Sequence, residues 1–287
     1  MKNITKILVV ALVMCMITFA GQLSAQTAMD AQSKAKYAEI SKVLLENNHN
    51  SVPELMVIAA KQMLGTEYVA GSLELVPEQL KVSLVETDCI LFVETCMAMA
   101  MNAKKGYDSP DSLCAYIQRT RYRNGIVDGY ASRIHYTSEW IRQGEGRGIF
   151  EEITDVLSAD NLSGQRFSYM SKHSSAYKQL KDNPAEVARI SRMEDYLNSF
   201  SDYYVIPKAV VNKMDHLLKD GDILCFNSSV EGLDIAHVAI VYHKENGEVG
   251  FIHASQGDGK VVIDEKSIHN YVNSRKSNDG IRIVRVK

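Results

Sequence analysis

The chain has no long basic block: 32 Lys and Arg stand against 35 Asp and Glu over 287 residues, a formal charge of −3. That balance excludes nucleic acid as the expected partner. There is no C-x-x-C and no H-E-x-x-H pair, so zinc lacks its usual closely spaced ligands. His135, His173 and His216 are scattered without ligand spacing, and neither a metal nor an organic cofactor is expected. No internal repeat and no low-complexity linker divides the sequence, so residues 26–287 read as a single catalytic domain with a sizeable core.

The first 25 residues read as a secretory signal peptide instead of fold. Lys2 and Lys6 precede an apolar run from Ile7 to Ala20, and Gly21-Gln22-Leu23-Ser24-Ala25 supplies a small-residue end. The run is too short to favour a stable membrane span. Cys15 lies inside it, behind Met14, where a lipoprotein site is not expected. Cleavage near Ala25 is expected to release a monomer into the periplasm, with no membrane contact thereafter.

Beyond that point remain Cys89, Cys96, Cys114 and Cys225. A chain of this length does not need disulfides to hold its core. Cys96 sits in an apolar helix pattern and Cys225 in an apolar strand pattern, where each reads as a small buried hydrophobe. The first half is patterned for helices, over Ser33 to Glu46, Pro53 to Leu64, Asp88 to Met101, and onward from Pro110. Ser51 and Glu54 form a capping box for the second of these. The later part changes period, with short strands expected at Asp222 to Phe226, Ala236 to Tyr242, Glu248 to Ala254, Lys260 to Ile263 and Ile281 to Val286. Helices followed by strands indicate an α+β fold with an antiparallel sheet. Residues 107–204 read as a large, mainly helical insertion.

Thr87-Asp88 suits a helix N-cap and puts Cys89 in the first turn. There the free backbone N–H groups and the helix dipole favour thiolate over a thiol whose ordinary pKa is about 8.5. The same N–H groups could hold an oxyanion. Cys89 could equally be a buried small residue like Cys96, and the local sequence leaves both readings open. The histidines shift the balance. Lys244-Glu245-Asn246-Gly247 is a hairpin turn signal between the strands that carry His237 and His253. Folding about it predicts the two rings opposite each other, within a residue or so of register. His237 would take the thiol proton and His253 would orient its ring.

Asp88-Cys89 with Phe92-Val93, Leu218 to Ile223, His237-Val238-Ala239-Ile240 and His253-Ala254-Ser255 resemble, in order, four signatures of the NlpC/p60 papain-like cell-wall peptidases. Tyr68 is similar to the tyrosine that those enzymes place before the nucleophile. Ile90-Leu91 departs from the usual small pair after the cysteine, and the span from Cys89 to His237 is much longer than usual. Leu64 to Leu73, Arg121 to Gly125, Gly129 to Tyr136 and Gly232-Leu233-Asp234 resemble a particular branch. That branch is the N-acetylmuramoyl-L-alanine amidase-like family, formerly domain of unknown function 1460. The resemblance implies a papain-like fold, with the nucleophile at a helix N-terminus packed on the sheet. It also implies cleavage between a muramic-acid lactyl group and L-alanine, with peptidoglycan fragments of the 1,6-anhydro disaccharide-peptide type as partners.

Arg119, Arg121, Tyr122, Arg123, Tyr130, Arg133, His135, Tyr136 and Trp140 concentrate planar and cationic groups in the insertion. Aromatic faces suit sugar rings and arginine suits carboxylates, although a helical surface with Tyr136 and Trp140 in its core would use the same residues. The expected catalytic set is Cys89, His237 and His253. The expected substrate-binding set is Tyr68, Asp88, Arg121, Arg123, Arg133, His135, Tyr136 and Asp234. A γ-D-glutamyl–diaminopimelate endopeptidase and an inactive glycan-binding module are the alternatives.

Overall fold

The computed structural model describes residues 28–157 and 163–287; the leader and its cleavage point near Ala25 lie outside the described residues. The Asp30 carboxylate accepts the Ser33 N–H at 2.7 Å and starts α1 (Ala31–Glu46). The expected capping box of Ser51 and Glu54 starts α2 (Val52–Gln62). Asp88 then accepts the Leu91 N–H at 2.9 Å and caps α3 (Cys89–Lys104). Twelve of the sixteen residues of α3 are buried, so this helix is apolar on nearly every side and runs through the middle of the fold. Ser109 caps α4 (Pro110–Arg121), with proline in the first turn where its missing N–H costs nothing. After these come α5 (Thr137–Gly146), the single turns α6 (Thr154–Leu157) and α7 (Tyr169–Lys172), then α8 (Pro184–Asn198) and α9 (Ile268–Ser274). Among the described residues no helix is long and apolar enough to cross a membrane.

The strands are β1 (Glu67–Tyr68), β2 (Glu86–Thr87), β3 (Phe150–Glu152), β4 (Ile206–Pro207), β5 (Ile223–Ser228), β6 (Ile235–His243), β7 (Val249–Ser255), β8 (Lys260–Ile263) and β9 (Asn278–Val286). They form one sheet in the order β2-β1-β8-β7-β6-β5-β9-β3, with β4 also on β9. Among the described residues only β1 and β2 pair in parallel. Side-chain alternation sorts the sheet into two apolar faces. Val238, Ile240, Ile252 and Ala254 face α2 and α3, while Ala239, Val241 and Phe251 face Ile268, Tyr271 and Val272 of α9. The result is an α+β architecture with helices on both sides of a mostly antiparallel sheet.

Residues 107–204 do not form one helical insertion. Leu113, Cys114 and Ile117 of α4 and Trp140 of α5 belong to the same core as α3. The strand β3 pairs with β9 at Phe150↔Val286. Gly144 makes that packing possible, because a Cβ there would lie 1.9 Å from the Phe150 ring. Phe-Glu-Glu is too short and too charged to signal a strand by alternation; its register comes from the β9 edge.

The remainder builds a third cluster around Tyr136, Phe167, Ile190 and Leu197, which holds the loop leading into β6. Gly232 in that loop has φ +80°, and a Cβ on it would meet the Ser168 hydroxyl at 2.6 Å. Its carbonyl accepts the N–H groups of Ser168 and Tyr169. Two residues later, buried Asp234 accepts the Ser138 N–H at 2.7 Å. The approach to His237 is therefore fixed by α5 and α7, not left as a free loop.

Candidate active site

Cys89 opens α3 and is partly exposed as a residue, whereas Cys96, Cys114 and Cys225 are buried. The pairing of β6 with β7 begins at Ile240↔Ile252, so β7 leaves β6 unpaired where His237 and Val238 stand. Cys89 packs against the core cluster that contains Val238. The start of α3 and the strand carrying His237 thus meet at one point.

His237 and His253 are not directly opposite. The register Ile240↔Ile252 and Val241↔Phe251 makes them diagonal neighbours on one face, a spacing that long and aromatic side chains span. Their rings meet edge to face with centroids 4.9 Å apart, and His237 Nε2 lies 2.7 Å from His253 Nδ1. His253 is buried, and its Nε2 faces Asp264 Oδ2 at 3.3 Å without the alignment of a hydrogen bond. Asp264 is held by the Lys266 N–H on Oδ1 at 2.8 Å. The Asp264 carboxylate draws the His253 proton to Nε2, so His253 Nδ1 accepts from His237 Nε2–H. The lone pair of His237 is then on Nδ1, the nitrogen free to act as a base. Phe226 and Tyr271 pack on the His237 ring.

The electrostatics differ from the expected thiolate. Burial pushes the Cys89 thiol up to about 12; the Asp88 carboxylate adds to this, and the N–H groups of Val238 and Ile90 only partly oppose it. An acidic N-cap works against the thiolate that the helix dipole favours. Burial, then His253 and Arg275, push His237 down to about 3. At neutral pH the resting pair is therefore thiol and neutral imidazole. As pH rises the thiolate fraction grows, so alkylation of Cys89 by iodoacetamide should climb by about tenfold per pH unit between roughly pH 6 and 9. A rate that is flat with pH across that window would instead reveal a preformed thiolate–imidazolium pair.

The other expected site residues divide sharply. Tyr68 and Asp88 flank the thiol: burial, then the charges of Cys89 and Asp88, push the Tyr68 hydroxyl up to about 12. Burial likewise raises the Asp88 carboxyl, against the N–H groups that it caps and the nearby Arg121. Arg123 is partly exposed and pairs with Glu139. The side chain of Arg133 is 9% exposed and committed to Glu74 at 2.8 Å and Glu78 at 3.2 Å. His135 packs tilted against the Tyr130 ring and donates from Nε2 to the Tyr130 carbonyl at 3.0 Å. Burial, then Arg133, hold its pKa well below the usual range.

Arg121, Tyr136 and Asp234 correct the expectation of substrate contact, because each spends its polar atoms internally. Arg121 Nε bonds Glu94 at 2.9 Å, with both side chains 4% exposed. The Tyr136 hydroxyl donates to Glu194 and accepts the Met170 N–H. Asp234 anchors Ser138. Tyr122, Tyr130 and Trp140, whose rings suit sugars by type, are core as well. Sequence reasoning missed Asp264, Tyr271 and Arg275. All three lie on or near α9, a seven-residue helix that a short apolar pattern does not reveal. Among the described residues no three His, Cys, Asp or Glu side chains gather as a metal site.

A family model described as N-acetylmuramoyl-L-alanine amidase-like matches residues 58–281. Among solved structures, an N-acetylmuramoyl-L-alanine amidase from Bacteroides uniformis is similar at 32% identity and TM-score 0.77, over 83% of this chain and 100% of that one. A Bacteroides fragilis protein described as a candidate xylanase is similar at 34% identity and TM-score 0.72, over 79% and 99% of the two chains. A Legionella pneumophila protein of the domain of unknown function 1460 family shares the fold at 23% identity and TM-score 0.62, over 86% and 93%. A comparison with curated proteins found no match.

Proposed function

The chain belongs to the N-acetylmuramoyl-L-alanine amidase-like family, and on that premise we propose that Cys89 carries out the amide hydrolysis with His237 as its base. One observation carries this reading. Cys89 at the start of α3 packs on the core cluster that contains Val238, the neighbour of His237 on β6, and a His253–Asp264 chain holds His237 with one imidazole nitrogen free. A cysteine at a helix start packed on such a sheet fits the papain-like arrangement of the NlpC/p60 enzymes.

The sulfur attacks the lactyl carbonyl as its proton passes to His237 Nδ1, so charge appears on the imidazole only during the step. His253, backed by Asp264, holds the His237 ring with Nδ1 free for that proton, an orienting role like that of the third member of a serine triad. The N–H of Cys89, at the start of α3, is the proposed donor to the oxyanion. Collapse breaks the C–N bond, and His237 returns the proton to the departing L-alanine amine. Water then hydrolyses the thioester, giving its proton to His237, and the thiol is restored.

The proposed substrate is a peptidoglycan fragment with an N-acetylmuramoyl group, favoured in its 1,6-anhydro form, and the proposed place of action is the periplasm. Mass spectrometry of products from defined muropeptides tests this. We expect release of an intact stem peptide beginning with L-alanine, faster from the anhydro substrate than from its reducing-end counterpart, and no cutting of a sugar-free stem peptide. Efficient cleavage of the free tetrapeptide between D-glutamate and the diamino acid would replace the amidase reading with the endopeptidase one.

A further inference from the structure

On the α9 side of His237 lies a cavity of about 300 Å³, whose lining includes His237, Gln256, Tyr271, Arg275 and Asn278. Arg275 ends α9 as its C-cap, and its carbonyl accepts from Lys208 Nζ at 2.7 Å, which fixes the backbone. Its guanidinium lies over the Tyr271 ring at 5.0 Å from the centroid. Among the described residues no carboxylate pairs with it. Arg121, Arg123 and Arg133, by contrast, are each matched to a glutamate. Arg275 is thus an exposed, unneutralised cation that shares a cavity with the proposed general base.

The direction of the reaction says what this cavity holds. The imidazole that takes the thiol proton must also protonate the leaving nitrogen, so the space beyond it receives the leaving group. On the amidase reading, which this inference rests on, the leaving group is a peptide that starts with L-alanine. Its second residue is a glutamate joined through its side chain, and that linkage leaves the α-carboxylate free one residue from the cut. An extended residue spans about 3.3–3.6 Å, so this carboxylate falls within a cavity adjoining His237. A guanidinium held over an aromatic ring offers a planar fork suited to a carboxylate. We propose that Arg275 anchors the free α-carboxylate of the γ-linked D-glutamate in the leaving peptide, which puts the sugar on the Tyr68 and Asp88 side of Cys89.

Binding to the hydrolytically silent Cys89→Ser protein tests the anchor without turnover. The probes are L-alanyl-γ-D-glutamate and its α-carboxamide, L-alanyl-D-isoglutamine. Cys89→Ser should bind the acid roughly ten- to a hundredfold more tightly than the amide, and Cys89→Ser/Arg275→Gln should bind the two alike. In turnover, Arg275→Gln should raise KM for the acidic muropeptide far more than for its α-carboxamide counterpart. Equal binding of acid and amide to Cys89→Ser would overturn the proposal, as would failure to bind either. A shifted pH profile with unchanged KM would also overturn it, by making Arg275 a tuner of His237 instead of a ligand for substrate. A failure of the amidase reading is separately visible, because it changes which bond is cut and leaves the dipeptide comparison as it stands.

Discussion

Replacing Cys89 with serine is expected to lower amide hydrolysis by at least about a thousandfold while the protein stays folded. The change swaps one atom at a partly exposed position, so packing is little disturbed. The chemical cost is large because a hydroxyl gives up its proton far less readily than a thiol, and the site does little to help. His237 is held neutral and weakly basic by burial and by Arg275, and Asp88 opposes negative charge at the nucleophile. A cysteine works here because its proton can move to His237 in the same step as bond formation. The measurement is the initial rate on a defined anhydro-muropeptide, alongside thermal unfolding. Turnover near the wild-type rate from Cys89→Ser would remove Cys89 from the mechanism. A large drop in melting temperature would show that the residue serves packing first.

Much of the α+β frame was legible because its signals are local. The Ser51–Glu54 capping box, the Asp88 cap and the Lys244 to Gly247 turn each act over a few residues, and the five long strands fall within a residue or three of the alternating apolar runs. What escaped depends on contacts distant in sequence. The two-residue offset between His237 and His253 follows from where β7 joins β6, and a turn signal alone does not fix that. Asp264 lies in the turn after β8, so its approach to His253 exists only once β7 and β8 are paired in register. Residue type also misled. Arginine and tyrosine between Arg121 and Tyr136 suit a sugar-peptide pocket, but the same groups suit a buried polar network around α3. Composition cannot separate these uses, because both need planar hydrogen-bonding groups.

Arg121 offers the sharpest test of that distinction, and its expected effect is on stability. Glu94 lies inside α3, where burial raises its pKa and Arg121 opposes the rise. The guanidinium answers it at 2.9 Å and also donates to the Lys81 carbonyl at 2.6 Å. Neither side chain has meaningful access to solvent, so removing one partner leaves a buried group uncompensated. Arg121→Met should therefore cost about 3–5 kcal/mol, or roughly 6–15 °C in melting temperature for a domain of this size. Removing both charges at once should be far milder. Glu94→Leu/Arg121→Met should regain most of the loss, because the penalty lies in the orphaned charge and not in the absence of an attraction. A substrate ligand would behave in the opposite way, with Arg121→Met raising KM while the melting temperature stayed put. Calorimetry on the two single variants and the double variant, with KM measured on the same preparations, separates the two roles. The ion pair also lies beneath the turn of α3 that begins at Cys89, so the single variants should lose activity in step with their stability, and the double variant should recover both together.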